Sequence, residues 1–300
     1  MNGVCPEPGT RRLRFGLVML AVMGLLDCRA AEPGVWKQLT HDGWLKHHPR
    51  WSPDGKELAY SEFHEDIIRI MILKPETGKP AEKLTKQNNP DFEPSWSPDG
   101  KQILFSFDKA MPNQGDMEVA RVNRDGSDLQ VLVSSPGALS HEESPCWSPD
   151  GKQMVFVSTR EGNQEIYTAN IDGSNLKRLT TDSAMDRNPV WSPDGKRIYF
   201  STNRWGNLEL AWMPPDGSQV TRLTNNRSLD DYPAVSADGK RLAYTSHRDG
   251  NYEVYVMDLA TGQERNETQS AEMEIAPGWH PDGRLTFVSN RNGDFDLYIK

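Results

Sequence analysis

"WSPDGK" occupies residues 51–56, and the same six letters return at 96–101, 147–152 and 191–196. Two looser copies follow, "VSADGK" at 235–240 and "WHPDGR" at 279–284. The aspartate of the string falls at Asp54, Asp99, Asp150, Asp194, Asp238 and Asp282, at intervals of 45, 51, 44, 44 and 44 residues. A near-constant period of this length marks a repeat architecture. Either one structural part is copied six times or one active site is, and turn chemistry decides for the part. Proline presets φ at the second turn position and aspartate tolerates the third. Glycine (Gly55, Gly100, Gly151, Gly195, Gly239 and Gly283) accepts φ > 0 at the fourth.

Each unit carries four short β-rich runs bounded by Gly, Asp, Asn and Pro. In the third unit, Pro145 to Trp147 leads into the turn, "QMVFVS" covers 153–158, "EIYTAN" covers 165–170, and "LKRLT" ends at Thr180. Runs of this kind read as strands joined by hairpins. Four antiparallel strands in about 44 residues make the blade of a β-propeller. The expected fold is therefore all-β, a single six-bladed propeller over residues 35–300. The tryptophan before each turn (Trp51, Trp96, Trp147, Trp191 and Trp279, with Val235 in the fifth unit) is expected to end the innermost strand and fill the wedge between blades. "VWKQLT" at 35–40 matches the last strand of a unit, while the sixth unit stops after its third, "FDLYIK". Residues 35–40 are thus predicted to complete the sixth blade, which removes exposed sheet edges.

The quoted strings resemble the PD40 repeats of the six-bladed propeller of the TolB family. The resemblance is carried by "P-x-W-S-P-D-G-K", by "S-x-R-x-G-N-x-x-I-Y" in units three to five, and by the "DG…RLT" ending, and it runs from about Val35 to Lys300. It implies a role in an envelope complex that docks a peptidoglycan-associated lipoprotein. TolB carries an α/β domain before its propeller; here the N-terminal segment runs almost directly into the closing strand, so the expectation is a propeller alone. Because propellers host many functions, the resemblance speaks to fold more than to activity.

The N-terminus has the three-part pattern of a secretory signal over residues 1–30: Arg11, Arg12 and Arg14, an apolar run from Phe15 to Leu26, and small residues at Cys28 and Ala30. Lipid attachment at Cys28 and an uncleaved anchor are the alternatives. The expected location is periplasmic or extracellular. Cleavage would remove four arginines and two acids, moving the net charge from −9 to −11. A mature chain this acidic argues against nucleic acid as partner. It also carries no transmembrane segment and is expected to be monomeric. Only Cys146 would remain as a thiol beyond Cys28, so no internal disulfide framework is expected.

Strings for a nucleophile elbow, a zincin, a P-loop or a dinucleotide site are absent from the sequence. The chemistry-bearing pattern is a ring: Lys46, Asp91, Glu142, Asp186, Asp230 and Glu274 each stand three residues before the proline that opens an inner strand. These residues are expected at one mouth of the central channel, where carboxylates could hold Ca²⁺, another divalent cation or a basic peptide. The competing reading pairs them with Arg160, Arg204, Arg248 and Arg291 from the hairpins of the same face. Units one and two lack the matching arginine, so Asp91, with Glu93 beside it, is the acid expected to be available. His47, His48, His64, His141 and His247 fall on or near that face. They motivate the rival of an exported metal-dependent carbohydrate lyase or hydrolase. The favoured expectation is non-catalytic: a cofactor-free module that binds a protein or peptide at the mouth, with the lengthened loops at 107–118 and 134–144 on the same side.

Overall fold

The computed structural model describes residues 36–64, 67–86, 89–108, 116–135 and 140–300. Residues 1–30, read above as a secretory signal and including Cys28, and parts of both lengthened unit-two loops lie outside these residues.

Among the described residues, twenty-four strands form six four-stranded antiparallel sheets. The innermost strands are Leu45–Trp51, Asp91–Trp96, Glu142–Trp147, Asp186–Trp191, Asp230–Val235 and Glu274–Trp279, one for each of blades 1 to 6. Each contacts the innermost strands of both neighbouring blades, so the six form a ring around the axis. The propeller and its four-strand blades are those anticipated from the period.

The turn after each inner strand is built as its letters require. In blade 1 the Gly55 N–H donates to Ser52 O at 2.9 Å, and the Ser52 hydroxyl donates to Asp54 Oδ1 at 2.7 Å. Asp54 Oδ1 also accepts the Lys56 N–H at 3.1 Å, and Gly55 sits at φ 72°. The same bonds recur at Asp99, Asp150, Asp194 and Asp238. The tryptophans pack between blades. Trp96 lies in a core cluster with Ala59 and Ile70 of blade 1, and its indole N–H donates to Arg50 O at 3.0 Å. Trp279 donates to Ala234 O of blade 5 at 2.9 Å.

The ring closes through the N-terminal strand. Lys37–Gln38 pairs antiparallel with Asp296–Ile299, with Lys37 opposite Ile299. The Thr40 hydroxyl donates to Asp296 Oδ1 at 2.7 Å and accepts the Leu297 N–H at 3.0 Å. In blade 3, Thr180 makes the same two bonds, to Glu165 at 2.5 Å and from the Ile166 N–H at 2.9 Å. Thr40 therefore fills in blade 6 the place that the end of "RLT" fills in blade 3.

Candidate functional site: the channel and its mouth

Every inner strand contains a β-bulge. In blade 3 the register with Gln153–Ser158 shifts between Glu143 and Cys146. At the bulge a non-glycine residue takes a left-handed backbone immediately before a proline: His48 (φ 50°), Glu93 (55°), Ser144 (51°), Asn188 (53°), Tyr232 (56°) and Ala276 (50°). Such a conformation costs about 1–3 kcal/mol per residue. It recurs in all six blades, including one that carries only alanine, so it belongs to the repeat and turns one side chain per blade toward the axis. Five of these residues, all but Ala276, line a channel cavity with Arg50, Ser95, Cys146 and Val190. At about 30 Å³ the cavity has room for one or two waters.

The side chains at this level form a belt across five blades. His47 and His48 face each other through their Nδ1 atoms at 3.0 Å. His48 Nε2 lies 3.7 Å from Glu93 Oε1. Glu93 accepts the backbone N–H of Ser144, and the Ser144 hydroxyl donates to Asn188 Oδ1 at 3.3 Å. Asn188 donates to Asp231 Oδ1 at 2.8 Å, and Arg187 donates to the same carboxylate. The Tyr232 ring then returns the belt to blade 1, with centroids 4.9 Å from His47 and 5.5 Å from His48. Burial governs the protonation of these groups. It lowers His47 to about 4 and, with His47 beside it, holds His48 well below its usual value. Burial and the charge of Glu143 raise Glu93 to about 7.

Four acids of the anticipated ring are paired with Arg160, Arg204, Arg248 and Arg291, as the pairing expectation has it. Lys46, Asp91, Glu142, Asp186, Asp230 and Glu274 are all 0% exposed and lie inside the blades. Glu142 accepts Arg160 Nη2 at 2.8 Å and the Ser158 hydroxyl at 2.7 Å. Asp186 pairs with Arg204 at 2.8 Å, Asp230 with Arg248 at 2.9 Å and Glu274 with Arg291 at 3.0 Å. Asp91 is not available in the way its missing arginine suggested, because it accepts the Thr85 hydroxyl in a buried contact. Desolvation raises Asp186 and Asp230, and takes Glu274 to about 7, in spite of the arginines. Lys46 has a local reason. In register it faces Glu62, where Glu142 faces Ser158, and its ammonium lies 3.9 Å from Glu62 and 3.4 Å from Asp296. Blade 1 thus inverts the charges of the pair and stays buried.

The histidines are engaged locally. His141 Nδ1 lies 2.8 Å from Glu143 Oε1. His64 packs tilted against Trp44 at 4.3 Å, and His247 meets Tyr252 edge-on at 4.8 Å. Among the described residues no group of three or more His, Cys, Asp or Glu side chains is arranged to hold a metal ion.

The mouth has an uneven rim. In blade 1 two extra rungs, Phe63 opposite Ile68 and His64 opposite Ile67, extend beyond Glu62–Arg69. Leu45 and Phe63 pair across the strands and are 44% and 43% exposed. Met185, in the loop entering blade 4 on this face, is 38% exposed. Sequence reading missed Leu45, Phe63, Arg50, Arg187, Asp231 and Tyr232; the one available signal was Phe63, an aromatic ring where the other units carry Asp108, Thr159, Asn203, His247 and Asn290.

A family model described as the TolB beta propeller domain matches residues 133–232 and 225–300, more than half of the chain. The chain belongs to the TolB propeller family. A curated relative, a TolB homolog of Chlorobium chlorochromatii, is 33% identical over 123 residues, or 41% of this chain; the match spans only 26% of the relative's length. TolB from Acinetobacter baumannii superposes with a TM-score of 0.62 at 25% identity, covering 85% of this chain and 63% of that one. A structure from Agrobacterium tumefaciens, also named for TolB, superposes at 0.67 with 24% identity, covering 86% and 90%. At that identity the last likeness concerns the fold alone. Among the described residues no helix is long and apolar enough to cross a membrane.

Proposed function

We propose that this TolB-family propeller is a non-catalytic binding module of the cell envelope, acting in the periplasm and receiving a protein or peptide partner on the channel-mouth face. The observation that carries this reading is the exposed Leu45–Phe63 pair, raised on the extended blade-1 hairpin beside a polar channel. Apolar side chains held in solvent on a rigid strand pair lose little further entropy on contact, which suits an interface anchor. Within this reading Glu93, Glu143, His48 and His141 supply polar contacts at the neck. The buried set Asp91, Glu142, Asp186, Asp230 and Glu274 holds the mouth loops in shape and does not touch the partner.

The test is affinity capture from envelope extract with wild type, Leu45→Ser and Phe63→Ser. Both sites are exposed, so the variants should keep the wild-type thermal midpoint. The expected outcome is one partner captured by wild type and bound at least tenfold more weakly by each variant, about 1.4 kcal/mol or more. Undiminished binding by both variants would remove the mouth from the proposal.

A further inference from the structure

On the opposite face, where the "WSPDGK" turns lie, blades 5 and 6 leave a crevice of about 250 Å³ lined by Arg241, Arg265, Arg284 and Lys300, with Trp279 as one wall. Glu267 is the one acid among its lining residues, in a chain whose net charge is −9. We propose that this crevice is an anion site that takes a phosphoryl group, a function separate from the mouth.

Arg241 is the centre of the argument. Its guanidinium lies over the Trp279 ring at 4.3 Å, and its Nη2 donates to Gly283 O at 3.2 Å. Gly283 makes room for it: a Cβ there would come within 2.9 Å of Arg241 Nη2. The guanidinium is thus positioned and planar, the form in which arginine recognises oxyanions bidentately. It makes no salt bridge among the described residues, though its charge reaches Asp238. Asp258 lies opposite it in register but spends Oδ1 on the N–H groups of Ala260 and Thr261, at 3.0 and 2.8 Å.

The equivalent place between blades 1 and 2 supplies an internal comparison. There Glu57 holds the place after "DGK" that Arg241 holds in blade 5. Glu57 takes both Arg124, whose guanidinium lies over Trp96, and Lys74. Both cations there have a carboxylate partner. In the blade 5–blade 6 crevice, Glu267 is shared by Arg265 at 2.6 Å and Lys300 at 2.9 Å, and Arg284 leans on Asp282 at 2.9 Å. Four cations meet the two acids Glu267 and Asp282, and the positioned one makes a salt bridge with neither. A doubly charged oxyanion with three acceptor oxygens matches that surplus in charge and in hydrogen-bonding capacity. A free phosphorylated solute and a lipid headgroup share this chemistry.

The test uses the full chain in two arms: calorimetric titration with inorganic phosphate at constant ionic strength, with chloride as control, and co-sedimentation with vesicles of phosphatidylglycerol in phosphatidylcholine. Arg241→Gln and the exposed Arg265→Gln are compared with wild type, their thermal midpoints having been matched first. Saturable phosphate binding weakened at least tenfold in Arg241→Gln supports the site and a soluble ligand. Vesicle binding alone, lost in Arg241→Gln, supports it with a lipid phosphate. If neither probe binds wild type, or both bind Arg241→Gln and Arg265→Gln as they bind wild type, the proposal is overturned.

Discussion

Glu93 shows how one side chain reads its surroundings. It sits on a left-handed backbone at the channel neck, accepts the Ser144 N–H, and is held at about 7 by burial and by Glu143. Arg50, His48 and Tyr232 share its cavity; His48 is kept neutral by burial, and Arg50, whose charge burial also disfavours, is the cation that offsets part of the cost. A carboxyl whose folded value lies above its usual 4.5 binds its proton more tightly when folded. Its contribution to stability is therefore complete below pH 4.5 and is lost as pH rises through about 7. The loss amounts to roughly 3 kcal/mol. Glu93→Gln keeps an acceptor for Ser144 and removes the titration. Urea unfolding should find the variant equal to wild type near pH 4.5 and more stable by roughly 1–3 kcal/mol at pH 8. Parallel stability profiles for the two proteins would show that Glu93 ionises without penalty.

At the scale of the element, the inner strand is where sequence and structure part. Its turn, its tryptophan and its period were legible, because Pro, Asp and Gly constrain φ locally and a bulky ring at a fixed place repeats. Which side chains face the channel was not. Strand side chains alternate, so one extra residue moves those before it to the other face. The bulge between Glu143 and Cys146, and its counterparts in the other blades, does this, sending Glu142 into the blade and Ser144 to the axis. Nothing in the letters announces the bulge, since a residue before proline ordinarily prefers an extended backbone. Ala276 isolates its cost, being 2% exposed and lacking any side-chain polar contact. Ala276→Val, β-branched at φ 50°, should destabilise by about 2 kcal/mol or more. Ala276→Gly should stay within about 1 kcal/mol of wild type, because relieved strain offsets the greater entropy of the unfolded chain. Equal losses in chemical denaturation for both variants would mean that packing, not backbone strain, dominates there.

For the whole molecule the decisive contact is between residues far apart in sequence. A propeller of six near-identical blades is fastened most firmly when one blade is shared between distant parts of the chain, and blade 6 is shared through Lys37–Gln38. Leu39 packs against the cluster of Tyr60, Val288 and Leu297 and donates its N–H to Leu297 O at 2.7 Å, so the strand joins blade 6 to blade 1 as well as completing its own sheet. Thr40 adds the bond to the buried Asp296, a carboxylate that also lies 3.4 Å from the buried Lys46. Loosening this strand strips a hydroxyl from Asp296, opens the Tyr60 cluster and bares a sheet edge together. Thr40→Ala should cost about 1–2 kcal/mol, while Thr40→Ser, which keeps both bonds, should cost less than half as much. Deleting residues through Thr40 should lower the thermal midpoint by roughly 10 °C or more and promote self-association through the uncovered edge, followed by calorimetry and light scattering. A truncated chain that melts with wild type would show that the blades hold the ring without the strand, and that the interblade tryptophans carry closure alone.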